Sequence, residues 1–308
     1  MGRRFDVLRR IERLDPGRDH AEIYRLTGGY EFPWDMTQAL SFALFRTYAV
    51  PSIGALLART GELTEHTQKR YDDTVLILDA IVEHGLDSPV GRTAVRRMNQ
   101  MHRAYDIGND DLRYVLATFV VTPIRWIDAF GWRRMTEIER IASANYYREL
   151  GRHMAIRDIP ATWQSFARLL DDYERRHFGV DPGGRTVAEA TLALLATFPP
   201  NHLLPERLVR QISLATMDAH LLDALGFAHP APAMRALVRA GLRARGRMVR
   251  FLPPRAAPFH ARQLPQIRSY PAGYDVAALG TFPSGCPVPH PRPGPGAEKG
   301  DEVGASPV

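Results

Sequence analysis

Arg70 and Thr74 stand four residues apart in a stretch of helical periodicity, which places them one above the other on a single helix face. A guanidinium there is a charged fork donor for an anionic group or for oxygen undergoing reaction, and the threonine hydroxyl beside it offers one more hydrogen bond. The plainer alternative is an exposed helix on which Arg70 pairs with Asp73 or Glu65. His102 follows Met98 and Met101, with Ala94 and Val95 about two turns earlier. An imidazole in such surroundings suits a metal, provided its second nitrogen finds a partner. It equally suits a core histidine bonded to a neighbouring helix. His66, His84 and His153 are the other imidazoles to weigh, and His153, just before Met154-Ala-Ile156, is the best placed. Asp106, Asn109, Asp110 and Asp111 cluster after the His102 segment, where Asn109 and Asp110 are expected to cap the next helix. Tyr105 either faces a ligand or fills core. Arg125, Trp126, Trp132 and Arg133 fit a pocket wall, or slightly better, helix packing with snorkelled arginines.

Several common chemistries lack their signatures. The chain has no GxGxxG opening a helix, no Walker A loop, no GxSxG elbow and no HExxH. His20-Ala-Glu22 has the spacing of half a non-haem iron triad, but it falls on loop or helix rather than on a barrel strand. The single cysteine, Cys286, excludes a disulfide framework and any Cys-based zinc or iron–sulfur site.

Helices must position these residues. Phe5, Leu8, Ile11 and Leu14 recur at three-residue steps and predict a short amphipathic opening helix. Asp35 is the expected N-cap of a second helix that is interrupted at Pro51 and resumes to Gly61. Thr64–His84 follows, closed by Gly85 in the left-handed position, and then a helix with Ser88 before Pro89 that runs to about Tyr105. Further helices are expected over Asp110–Phe130, Thr136–His153, Trp163–Phe178, Thr186–Ala196, Pro205–Leu225 and Ala233–Leu252. No stretch alternates as a strand would, so the chain reads as all-α, with about ten helices. The last 26 residues hold seven of the 24 prolines and five of the 24 glycines, and 283–308 reads as a disordered tail behind an ordered domain over 1–282.

With 308 residues, 45% hydrophobic and 24% charged, the chain can bury a sizeable core without staples. Apolar runs such as Tyr114–Ile124 are broken within half the roughly 20 residues a membrane span needs. No apolar region follows the charged Met1–Asp6, so the expectation is a cytoplasmic location. The net charge is +6, and 38 of the 40 basic residues are arginine. Most arginines are interspersed with acids, as compositional bias would leave them, and no helix-turn-helix pattern accompanies them; no nucleic-acid partner is expected. One region departs from the mixture. Between Asp223 and Asp275 there is no acid, and nine arginines fall from Arg235 to Arg268. The 235–252 helix therefore suits either peripheral contact with an anionic membrane or a solvated basic face over an apolar stripe.

Two helices carry a more specific pattern: Lys69-Arg-Tyr-Asp-Asp-Thr74, and Arg96-Arg-Met-Asn-Gln-Met-His-Arg-Ala-Tyr105 followed by Gly108-Asn-Asp-Asp-Leu-Arg-Tyr114. Together with Phe45–Pro51, Pro123–Trp126, Gly131–Arg133, Gly151–Pro160 and Ser269–Tyr274, they resemble the mpaB-type oxygenases, a family that includes the fungal enzyme of mycophenolic acid biosynthesis and the distant latex clearing proteins (rubber oxygenases). The likeness runs from about Asp19 to Pro283, and the order and spacing of the motifs make it specific.

The resemblance implies a single globin-like helical domain around haem b, and oxidative cleavage of a carbon–carbon double bond in an isoprenoid or other lipophilic substrate by O2. It implies His102 as the metal ligand, with Arg70 and Thr74 on the oxygen side of the cofactor. Arg70, Asp73 and Thr74 become the catalytic candidates. Asp73 stands where the rubber-cleaving relatives have a lysine that can ligate iron from the other side, so a second axial ligand is not implied. Their upstream catalytic glutamate has no counterpart, because Arg46–Ala58 contains no acid. These two departures keep a second reading open, an inactive or sensor-type haem- or lipid-binding helical protein. A third is a cofactor-free enzyme with Asp73 and His102 as acid and base.

Overall fold

The computed structural model describes residues 3–280; the expected disordered tail lies outside the described residues. These residues form fourteen α-helices, a π turn and short 3-10 turns, with no strand. In chain order the helices are α1 (Asp6–Ile11), α2 (His20–Leu26), α3 (Pro33–Tyr48), α4 (Pro51–Thr60), α5 (Glu62–Glu65), α6 (Thr67–His84) and α7 (Pro89–Arg103). They continue with α8 (Asn109–Phe130), α9 (Glu137–His153), α10 (Trp163–His177), α11 (Pro182–Ala196), α12 (Glu206–Thr216), α13 (Ala219–Ala224) and α14 (Pro232–Val249).

Local chemistry sets most of these boundaries. The Ser88 hydroxyl accepts from Gly91 N at 2.9 Å and starts α7 with Pro89 at its first position. Thr136 and Glu139 form a reciprocal capping box at the start of α9. Gly85 ends α6 at φ +78° as its residue type predicts, but its ψ of 155° is extended, outside the left-handed helical region. Two sequence expectations are corrected. The single helix over Pro205–Leu225 breaks at Met217, because Asp218 accepts from Leu221 N at 3.0 Å and begins α13 afresh. Asp35 caps nothing: α3 starts at Pro33, and the Asp35 carboxylate is buried between Arg245, at 3.1 Å, and Trp126 Nε1, at 3.3 Å.

The long α8 is the axis of the main core, with Tyr114, Ala117, Val120 and Ile127 fully buried. Helices α3, α9, α10 and α14 pack around it, and α6 lies against α7. A second apolar cluster joins Phe45 and Tyr48 of α3 to Val187 and Leu192 of α11 and to Leu221 and Leu222 of α13. Helices α4 and α11 cross at Gly54 and Gly184, where a Cβ on Gly54 would lie 2.5 Å from Tyr48 O and 2.7 Å from Gly184 Cα. Backbone cannot yield as a side chain can, so Gly54→Ala is expected to cost about 2–3 kcal/mol, read as a lowered Tm.

After α14 the chain runs back over α6 as irregular backbone tied by side chains. The buried Asp72 carboxylate accepts from Arg268 N at 3.0 Å and Ser269 N at 2.8 Å, and Asp79 accepts from Ala261 N at 2.8 Å and Arg262 N at 3.2 Å. No single helix among the described residues is long and apolar enough to cross a membrane. Helices α3 and α4 together have the length and composition, but they meet at 98° and α3 buries Phe45 and Tyr48 in the core.

Candidate functional site

Between α4 to α6 on one side and α7, α8 and the end of α9 on the other lies a cavity of about 300 Å³. Its wall is mostly apolar, with Ile53, Leu57, Ile77, Met98, Val115 and Phe119 among the lining residues. Arg70 and Thr74 reach it from α6, and His102 from the last turn of α7, so the structure brings these three sequence-predicted residues to one chamber. Tyr105 lines it too, on the turn after α7.

The state of His102 is unusual for a packed histidine. Its Nδ1 is buried and has no hydrogen-bond partner. Burial, and then the charge of Arg70, lower its pKa to about 4, so the imidazole is neutral and ligand-competent at neutral pH. The bonded neighbour expected of a core histidine and the partner expected for the second nitrogen of a metal ligand are both missing at Nδ1. Arg70 forms no ion pair with any acid among the described residues; the carboxylate of Asp73 is taken instead by Lys69 at 2.7 Å. An imidazole without a hydrogen-bond partner at Nδ1 and a guanidinium without an ion-pair partner thus line one chamber.

Thr74 plays a different part from the one its spacing suggests. Its hydroxyl donates to Arg70 O at 2.9 Å and accepts from Arg70 Nη1 at 3.1 Å. The proton is committed to the helix backbone, and the Thr74 oxygen holds the Arg70 guanidinium in place.

Asp73 is not brought to the cavity. Its fully buried carboxylate is bonded to Lys69 and to the Tyr270 hydroxyl, where it ties the C-terminal segment to α6. Other candidates also lie elsewhere. His153 and His66 are exposed. Asn109 caps no helix; its side-chain amide instead pairs with the backbone of Arg157, accepting from N at 2.9 Å and donating to O at 3.3 Å. Arg125 pairs with Asp171 near the surface, Trp126 and Trp132 are core, and Arg133 sits in a buried cluster with Glu31 and Glu139.

Glu62 went unnoticed in the sequence. It lies in the short α5, lines the same cavity, and its Oε2 is buried without a hydrogen-bond partner. It lies four residues beyond the acid-free Arg46–Ala58 stretch, and the reversal at Gly61 (φ +72°) turns it inward.

A second cavity of about 140 Å³ lies beyond α6. Leu44, Tyr71, Thr74, Leu78, Phe119 and Tyr147 line both chambers, so Thr74 stands in the partition. The far wall of the second is built by Pro258–Ala261 and Leu264. Asp79, Glu83 and His260 offer ligand atoms within 4.8 Å of one another nearby. Arg262 already occupies these carboxylates, bonding Glu83 in bidentate fashion and Asp79 through its backbone N–H, so the cluster acts as a clasp for the 260–262 turn.

The described residues form an all-helical body and enclose an apolar chamber lined by a buried histidine without a hydrogen-bond partner at Nδ1 and an arginine without an ion-pair partner. Residues 32–251 match the family of the ER-bound oxygenase mpaB/B'/rubber oxygenase catalytic domain, and the chain belongs to that family. Among curated relatives it is similar to the ER-bound oxygenase mpaB' of Penicillium brevicompactum, 32% identical over 246 residues, covering 74% of this chain and 58% of that protein. It is also 32% identical over 197 residues to the ER-bound oxygenase mpaB of Penicillium roqueforti, covering 58% of this chain and 66% of the relative. The mpaB of Penicillium brevicompactum is likewise 32% identical, over 183 residues, or 54% of this chain and 47% of that protein. The chain thus spans about half to two thirds of the length of these relatives.

Proposed function

We propose that this chain is a haem b-dependent oxygenase that cleaves a carbon–carbon double bond in an isoprenoid or other lipophilic unsaturated substrate. The observation that carries the reading is the buried, unpartnered Nδ1 of His102 in the wall of an apolar cavity that Arg70 also lines without an acidic partner. These residues fit the cofactor. A neutral imidazole is the form that ligates iron, and a lone guanidinium suits a haem carboxylate. The chamber falls at the lower end of the volume range of cofactor sites. Haem, when bound, supplies the activation of O2.

The remaining work belongs to the chain. His102 fixes the cofactor's position. Arg70, held by Thr74, is the hydrogen-bond donor toward oxygen or a propionate. Tyr71, Leu78 and Phe119 keep the partition dry, and the second cavity accepts the lipophilic chain of the substrate beside it. Glu62, with a free carboxylate oxygen in the chamber, is placed to take a proton from the substrate. Glu62→Gln, which keeps the shape, is expected to lower turnover roughly 10²-fold or more while haem content is unchanged. Arg70→Ala should cost more turnover than Thr74→Val, because the threonine acts only through the arginine.

The reading is tested by the absorption spectrum of the protein expressed with haem supply. A Soret band at near-stoichiometric haem is expected; its absence, in folded protein given haem, would overturn the haem assignment.

A further inference from the structure

Helix α14 divides its arginines between two faces. Arg245 lies over the Trp34 ring at 3.6 Å and pairs with Asp35 at 3.1 Å, Arg239 lies over Phe130 at 5.5 Å, and Arg235 donates to Met217 O at 3.3 Å. Gly246 abuts Phe130 O, with no room for a Cβ. These contacts fasten the inner face and fix which side of the helix looks outward. Arg243, Arg247 and Arg250 are not part of them and are exposed.

The outer face is apolar where a solvated helix would be polar. Leu237, Ala240, Gly241, Ala244 and Met248 follow one another at three- or four-residue steps or adjacent to them, all exposed, and the turn beyond adds Phe251 and Leu252. Leu237 is 69% exposed, Met248 69%, Phe251 85% and Leu252 56%. On a helical projection Arg243, Arg247 and Arg250 line one border of this stripe and Arg245 marks the other. No acid occurs between Asp223 and Asp275. An exposed apolar stripe bordered by arginines, in a segment free of negative charge, has the chemistry of a helix lying in the interface of an anionic bilayer.

We propose that α14 and the Phe251–Leu252 turn form a peripheral docking surface for an anionic membrane. Leu237, Met248, Phe251 and Leu252 enter the acyl boundary, and Arg243, Arg247 and Arg250 pair with lipid phosphates. This orientation carries a consequence for the interior. The chain leaving the docked turn at Leu252 supplies, from Pro258 to Leu264, the far wall of the second apolar cavity. The membrane face and the wall of that chamber are thus parts of one short segment, suited to receiving a lipophilic molecule from the bilayer. The docking surface stands on charge and exposure alone and does not depend on the oxygenase reading.

The test is co-sedimentation of the full chain with vesicles of phosphatidylcholine alone or with phosphatidylserine added. The protein is expected to sediment with the anionic vesicles, to stay in solution with the neutral ones, and to be released by salt. Replacing Arg243, Arg247 and Arg250 together by Gln should weaken anionic-vesicle binding roughly a hundredfold, at about fivefold per charge. Leu237→Ser with Met248→Ser and Phe251→Ser should weaken it at least about tenfold and leave the circular dichroism unchanged, since these side chains are exposed. Failure of the wild-type chain to sediment with anionic vesicles would overturn the proposal, as would binding insensitive to both sets of substitutions. So would a wild-type dimer that the serine substitutions convert to monomer without any vesicle binding, which would assign the stripe to a second copy of the chain.

Discussion

His102→Ala, expressed with haem supply, is expected to emerge folded but without a Soret band, its haem affinity reduced by at least roughly a hundredfold. Two features make this sharper than a generic loss. The imidazole Nδ1 has no hydrogen-bond partner, so its removal strands no other polar group, and stability should change by no more than about 1 kcal/mol. A histidine kept for packing would show the opposite pattern, a lowered Tm with no spectral consequence. The substitution also leaves a vacancy in the chamber wall, so imidazole added to the medium should restore part of the Soret band. Retention of the wild-type spectrum would remove His102 from the site and return the search to the remaining histidines.

Arg133→Ala should have the largest effect on stability, about 3–5 kcal/mol, or a Tm lower by roughly 10 °C. Its guanidinium donates to Glu31 at 2.8 and 3.0 Å and to Glu139 at 2.6 and 2.7 Å. Both carboxylates are almost completely buried. Burial pushes the Glu31 pKa up even with Arg133 beside it, and the two glutamates hold the Arg133 pKa above its usual value although burial opposes this. Removing Arg133 leaves Glu139 without a cation and Glu31 with only Arg4, at 3.4 Å, in a nearly dry site, a burden far larger than the loss of a surface pair. Glu31→Gln with Glu139→Gln in the Arg133→Ala background should recover part of the loss. A cost below about 1 kcal/mol for Arg133→Ala would show that the cluster is solvated and carries little of the fold.

The helices were largely readable because the apolar period of 3.6 and the caps are local signals. Ser88 before Pro89 marks the start of α7, and the run of apolar residues from Tyr114 marks α8 as a core helix. What misled were residues whose role is set by distant parts of the chain. Asp35 looks like a cap, but its partner is Arg245, 210 positions later. Asp73 looks catalytic beside Arg70 until Tyr270, 197 positions on, is seen to take it. Spacing together with family likeness singles out Arg70, Thr74 and His102, and the structure brings these three to one cavity. The direction of the Thr74 hydroxyl and the inward turn of Glu62 were not, since each depends on hydrogen-bond geometry and backbone reversal that residue types do not encode. The basic 235–252 segment was visible as charge, and the division of its arginines into an inner and an outer set needed the packing against Trp34 and Phe130.

Turnover is tested most directly by measuring oxygen uptake together with carbonyl product from a polyprenyl substrate, using one preparation with and without haem. Oxygen should be consumed in proportion to new aldehyde or ketone ends, only with haem present, and uptake should be strongly reduced in Glu62→Gln. Haem bound at near-stoichiometric level with neither oxygen uptake nor cleavage across short and long polyprenyl chains would contradict it, and would identify the chain as a binding protein on an oxygenase fold.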